Sequence, residues 1–348
     1  MLRDMHWQPS FSPHHLNALT NKQDFIWLSS FPISQGLLPI IFALEKDHHE
    51  YTIDTYWYYL RTTLPGGTIK TFYSYDYGLN RTDIHRVFDD KIICWKIAEQ
   101  AGIRTPPSLL LVAEHSAFSQ PFNNRSSAEK FATQYWFPLI MKPINGRQGR
   151  GVQKIVSMDH LHRALDIFNG KEWWSLYCML QPLVEWDDIR VIYLDGQIEL
   201  AYKRVPFHVV WDGLHTIGSL IETKKQEEVN YEEIELYLTH HGYTLKDIPS
   251  PWVHIQLLPT ANISTWWTAE KVPTNKEDLL FMQKIADLFG ATYLWADIIT
   301  RWSIASGTLI ELNKMPWFTW ANLVQPWFSD QLGEKIWEVI KKQERGSL

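Results

Sequence analysis

Met141-Lys142-Pro143-Ile144-Asn145-Gly146-Arg147-Gln148-Gly149-Arg150-Gly151 ends an apolar run on a lysine and continues into a loop of three glycines and two arginines. Far downstream, Asp297 sits between Ala296 and Ile298, and Glu311-Leu312-Asn313 closes a second apolar run. A lysine leaving a buried strand is held rigidly, which suits it to gripping phosphates. Asn145, Gly146, Gly149, Arg150 and Gly151 form a loop whose backbone can approach an anion without Cβ hindrance. Glu311 and Asn313 are two apart, so on a strand they share a face. A carboxylate buried like Asp297 is costly unless paired or metal-bound. Two carboxylates with an amide oxygen make a hard Mg²⁺ donor set completed by phosphate and water. Together the segments point to a nucleoside triphosphate and Mg²⁺.

The spacing around these segments predicts α+β architecture with antiparallel sheets. Phe137–Lys142 and Val152–Val156 read as strands joined by the glycine loop. Ile189–Leu194 and Gln197–Arg204 read as a hairpin about Asp195-Gly196. Tyr293–Thr300 and Thr308–Leu312 read as the last two strands. Helices are predicted over Asp90–Ala101, Asp159–Phe168, Asn230–His241, Lys276–Phe289 and Ser329–Lys342. Asp24–Ser29 and Leu37–Leu44 read as strand-like apolar runs. A glycine loop between two antiparallel strands argues against a dinucleotide-binding βαβ unit. Arg190, in Asp188-Ile189-Arg190, and Arg204 could both face a transferred phosphoryl group, where positive charge stabilises the transition state.

With 348 residues the chain has room for two or three packed units. Its 45% hydrophobic and 21% charged residues are ordinary for a globular protein, and a net charge of −6 argues against a nucleic-acid surface. Two cysteines, Cys94 and Cys178, exclude a disulfide framework and a cysteine zinc site. They fit a reducing, cytoplasmic setting. Neither a membrane span nor a signal peptide is expected from the apolar patterning.

The ordered motifs resemble the ATP-grasp superfamily, specifically the carboxylate–amine ligase domain of cyanophycin synthetase and bifunctional glutathione synthetases. The likeness runs over roughly 88–325. It rests on Asp90-Lys91, Gly102-Ile103-Arg104-Thr105-Pro106, Lys142-Pro143 with its glycine loop, Asp188-Ile189-Arg190 and Arg204-Val205-Pro206. It continues through Asp212-Gly213-Leu214-His215-Thr216-Ile217 to Ile221, Ala261-Asn262-Ile263-Ser264-Thr265, and Asp297 with Glu311-Leu312-Asn313. The resemblance implies an ATP-grasp fold, in which two α+β subdomains clasp ATP behind a small N-terminal α/β unit. The implied divisions are 1–87, 88–180 and 181–348. Lys91 and Lys142 would bind phosphates, Gln181-Pro182-Leu183-Val184 would hold adenine, and Glu185 would meet the ribose. Asp297, Glu311 and Asn313 would hold Mg²⁺, with Mn²⁺ an acceptable substitute. Arg190, Arg204 and Asn262 would serve the acyl phosphate. The implied partners are a small-molecule carboxylate and an amine, and a homodimer is compatible with the family.

Tryptophan replaces the family's glycine repeatedly, at Trp211, Trp266, Trp267, Trp295 and Trp317. Glycine at such places supplies positive φ or close backbone approach. Three outcomes fit: an acceptor pocket reshaped for another substrate, a nucleotide-binding or scaffold protein that does not ligate, and a carboxylate kinase. Residues 1–87 carry no decodable motif beyond an expected part in the carboxylate pocket.

Overall fold

The computed structural model describes residues 34–53, 58–116, 124–144, 151–170, 175–205, 208–210, 212–223, 231–240, 242–250, 254–257, 268–314 and 318–346. The stretch Asp24–Ser29 lies outside them. Leu37–Leu44 does not form the expected strand. It lies in helix α1 (Leu38–Lys46), with Pro39 in the first turn and buried side chains around most of its circumference. A short apolar run buried on all sides lacks the periodicity that separates helix from strand.

Strands β1 (Tyr51–Ile53), β2 (Tyr59–Thr63) and β3 (Ile69–Tyr73) form an antiparallel meander. Helix α2 (Thr82–Asp89) leads into α3 (Lys91–Gln100), whose N-cap Asp90 accepts from the N–H groups of Ile92 and Ile93 at 3.0 and 3.1 Å. Gly102 follows at φ +70°, where a side chain would be strained.

β4 (Leu109–Val112), α4 (Asn124–Tyr135), β5 (Leu139–Pro143), β6 (Gln153–Ile155), α5 (Met158–Asn169) and β7 (Tyr177–Pro182) make an antiparallel sheet of order β4-β7-β5-β6. Leu111, Leu139, Met141, Ile155 and Leu180 pack there against Ala128, Phe131, Leu161 and Phe168 of the two helices.

β8 (Asp187–Leu194) and β9 (Gln197–Val205) form the expected hairpin. Next come β10 (His208–Val210), α6 (Ile217–Thr223), α7 (Tyr231–His240) and β11 (His254–Gln256); Val209, Ile217, Ile221, Ile234, Leu238 and Leu257 form a small core of their own. β12 (Thr268–Lys271), α8 (Lys276–Phe289), β13 (Tyr293–Thr300) and β14 (Thr308–Asn313) complete a five-stranded sheet of order β12-β9-β8-β13-β14. Asn275 closes a capping box at the start of α8, and Gly290 ends the helix in the left-handed region. The chain finishes with α9 (Thr319–Val324) and α10 (Phe328–Gly346).

The two faces of the five-stranded sheet differ. One buries Ile189, Val191, Leu294, Ala296, Ile298, Leu309 and Leu312 beneath α8 and the α2–α3 region. The opposite face is apolar at one end, where Ile192, Leu200, Tyr293 and Trp295 share a core with α1, the meander and α10. Residues 37–79 therefore share their core with the sheet and the last helix. Asn80 fastens this junction, accepting from the N–H groups of Thr292 and Tyr293 at 2.9 and 3.0 Å. No helix among the described residues is long and apolar enough to cross a membrane.

Candidate active site

At its other end that second face turns polar. Strand register lines up Tyr202 of β9, Arg190 of β8, Asp297 of β13 and Glu311 of β14 in one row across the sheet. On one side of this row lie Arg204 and Asp188, which are register partners. On the other side stand Ile192, Trp295 and Asn313. Period-two alternation puts all these side chains on one face.

The arginines are not exposed strand residues; each side chain is 15% exposed. Arg190 donates from Nε and Nη2 to the two oxygens of Asp297, both at 2.7 Å. Arg204 Nη2 donates to both oxygens of Asp188 at 2.7 and 2.6 Å and to Asp297 at 3.0 Å. Such bidentate pairs are short and directional. Burial by itself would raise the Asp297 carboxyl, yet Arg190 and Arg204 hold it well below the usual carboxylate range. For Asp188, burial prevails over the pull of Arg204 and its pKa is raised. Arg204 Nε is buried with no hydrogen-bond partner among the described residues.

Two lysines reach the row from outside the five-stranded sheet. Lys91, in the first turn of α3, is 7% exposed, and its ammonium lies 3.0 Å from Glu311. Lys142, on β5 of the other sheet, lies near enough for Glu311 and Lys91 both to act on its charge. Burial, helped by the like charge of Lys91 and opposed by Glu311, brings the Lys142 ammonium down to about 8. Lys91, Lys142, Arg190 and Arg204 thus face Asp188, Asp297 and Glu311. The cationic side chains and the oxygen donors expected from sequence meet, and they largely neutralise one another.

The remaining expected residues divide. Gln181 is buried on β7, and its Oε1 has no partner among the described residues. Pro182 ends β7, and the Leu183 N–H donates to the Pro138 carbonyl at 3.0 Å, which holds the chain ahead of Val184. Glu185 is exposed. Gly151 adopts φ +73°, the conformation for which glycine is suited. Asn145, Gly146, Gly149, Arg150 and Asn262 lie outside the described residues, as do Trp211, Trp266, Trp267 and Trp317. Asp212 makes a turn: its carboxylate accepts from the Leu214 and His215 N–H groups at 2.8 and 2.9 Å, with Gly213 at φ +75°. Sequence reasoning passed over Asp188 as a charge partner and Trp95 as a contact of Lys142. The period-two spacing of Asp188 and Arg190 was the available signal for the first.

Asp297 and Glu311 are direct register partners, and Asn313 follows on the same face. They are hard oxygen donors side by side, the chemistry a Mg²⁺ ion takes together with phosphate oxygens. The residues fit the ion. Among the described residues no group of three or more His, Cys, Asp or Glu is placed to hold a metal ion by itself.

No family model matches the chain. A bifunctional glutathione synthetase from Pasteurella multocida superposes with a TM-score of 0.58 at 18% identity, covering 89% of this chain and 44% of that one. The chain has the ATP-grasp fold. Cyanophycin synthetase of Trichormus variabilis is 27% identical over 203 residues, 52% of this chain and 22% of that protein. The glutathione biosynthesis bifunctional protein GshAB of Streptococcus agalactiae is 26% identical over 254 residues, 65% of this chain and 32% of that protein. The chain resembles ATP-grasp carboxylate–amine ligases, and it spans between about a fifth and a third of the length of these curated relatives.

Proposed function

We propose that the chain is a Mg²⁺- and ATP-dependent, ADP-forming carboxylate–amine ligase acting on an amino acid or small peptide through an acyl phosphate. The observation that carries this is the convergence of Lys91 and Lys142 on the Arg190–Asp297–Glu311 row. Isolated cations would serve any anion. Two lysines, two arginines and a hard oxygen pair brought together suit a polyphosphate with its counter-ion.

In this assignment Lys91, Lys142 and the Asn145–Gly151 loop hold phosphates. Gln181 to Val184 bind adenine, with the Gln181 Oε1, which has no partner among the described residues, available to its amino group, and Glu185 meets the ribose. Asp297, Glu311 and Asn313 hold Mg²⁺, which when bound offsets charge on the phosphate oxygens. The substrate carboxylate oxygen bonds to the γ-phosphorus as the bond to ADP breaks. The amine nitrogen then bonds to the acyl carbon, phosphate departs, and the amine gives up a proton. Arg204 brings its Nε–H, which has no partner among the described residues, and Arg190 and Asn262 serve the same acyl phosphate. Orientation contributes up to about 7–11 kcal/mol for well-placed reactants. The subdomain divisions at 87/88 and 180/181 and a cytoplasmic setting, compatible with two buried free thiols, belong to the same proposal.

A second assignment, a nucleotide-binding protein that does not ligate, is favoured by Trp295, whose indole fills the sheet face beside Asp297 at 1% exposure. An ADP-release screen of Mg·ATP with pairs of amino acids separates the two. Ligation requires ADP that depends on a carboxylate and an amine together. No ADP from any pair, with folded protein that binds ATP, decides for the second.

A further inference from the structure

Lys91 and Lys142 come from different elements, a helix start and a strand of the other sheet, yet both ammonium groups stand near Glu311. Like charges brought together out of water repel, and Lys91 does depress the Lys142 ammonium. Trp95 is on the helix that carries Lys91 and touches Lys142. It follows Lys91 by four residues on α3, so the two share a helix face. That face docks on β14: Lys91 pairs with Glu311, and the Trp95 indole N–H donates to the Ile310 carbonyl at 2.9 Å. The indole, 3% exposed, is thereby fixed in position, and the Lys142 ammonium stands 5.0 Å from its ring centroid. The negative face of an indole attracts a cation, most strongly where water is excluded.

We propose that Trp95 is a positioning residue for Lys142, holding its ammonium over the metal-binding strand so that both lysines grip one polyphosphate. The inference rests on the nucleotide assignment above. One residue thus ties three elements together: the helix that carries Lys91, the strand that carries Glu311, and the lysine from the opposite sheet. Leucine in its place would leave Lys142 without its cation-binding surface, while phenylalanine would keep a smaller aromatic face and lose the bond to Ile310.

The test is calorimetric titration of the full chain with Mg·ATP. Trp95→Leu should weaken binding about tenfold, and Trp95→Phe should stay within about threefold of wild type. In a Lys142→Met background, Trp95→Leu should cost less than about twofold more, because the group it positions is gone. If Trp95→Leu does not fold, Trp95→Met takes its place with the same expectations. Unchanged affinity in the Leu variant, or a loss equally large in the Lys142→Met background, overturns the role of Trp95 and leaves the nucleotide assignment standing. Folded wild-type protein that does not bind Mg·ATP overturns both.

Discussion

Asp297→Asn is the most informative single perturbation. The carboxylate accepts three hydrogen bonds from two buried guanidinium groups. Asparagine keeps the shape and one acceptor oxygen but turns an N–H₂ group toward a donor. It also leaves Arg190 without a directly paired carboxylate among the described residues, while Arg204 keeps Asp188. Breaking a buried pair on one side costs about 3–5 kcal/mol, because a charge stays behind without compensation. Asp188 keeps its pairing with Arg204 and still attracts Arg190 through space, which places the expected loss near the lower end, about 3 kcal/mol. With a urea slope of about 3 kcal/mol/M, the midpoint should fall by about 1 M. The arginines released in the variant are anion receptors. Pyrophosphate should therefore restore more stability to the variant than it adds to wild type. The assay is urea unfolding followed by circular dichroism, with and without pyrophosphate. A loss below about 0.5 kcal/mol, or equal pyrophosphate effects on both proteins, would refute the view that the cleft neutralises itself through Asp297.

Three further outcomes are expected. Lys142 titrates at about 8 when free, and bound phosphate would favour its charged form, so ATP binding at pH 8.5 should take up protons and weaken as pH rises further. Calorimetry in two buffers of different ionisation enthalpy reads this uptake directly, and equal heats would contradict it. Asp330, in the first turn of α10, is pushed up to about 6 by burial, with Ser329 opposing and Glu334 adding. A carboxyl raised above its unfolded value gives stability that is fully present below the unfolded pKa and is lost as pH climbs through 6. Asp330→Asn should therefore stabilise by up to about 3 kcal/mol at pH 7.5 and by little at pH 4, read by denaturant midpoints at the two values. Gly333 of α10 lies against α1, where an added Cβ would meet the Pro39 carbonyl oxygen at 2.1 Å. Gly333→Ala should cost about 1–3 kcal/mol or more in the same unfolding assay, and a neutral result would mean that the helices part without penalty.

Local chemistry was legible wherever one segment decides its own conformation. Lys276–Phe289 announces itself by an amphipathic repeat, with Asn275 and Asp278 to cap it and Gly290 to stop it. The Asp195-Gly196 turn specifies its hairpin, and Gly196 takes φ +87°. Tyr293–Thr300 is apolar enough to require burial on both faces, which made Asp297 stand out as a group needing a partner. Glu311 and Asn313 could be placed on one face by counting alone. Leu38–Lys46 was illegible because six of its nine residues are buried, which removes the polar stripe that gives a helix its signature.

The sequence by itself determined much of the inventory: the strands that carry the charged row, which residues share a strand face, and which ionisable groups cannot be left alone. Tertiary structure decided the partners. Asp297 meets Arg190 from 107 residues away because strand register aligns them, and Arg190 meets Tyr202 by the same means. Lys142 reaches Trp95 and the neighbourhood of Glu311 because two sheets approach each other. Residues 37–79 share a core with the last helix, and no periodicity in either segment encodes the other. Backbone propensity and side-chain alternation act over a few residues, whereas electrostatic pairing and close packing act through space.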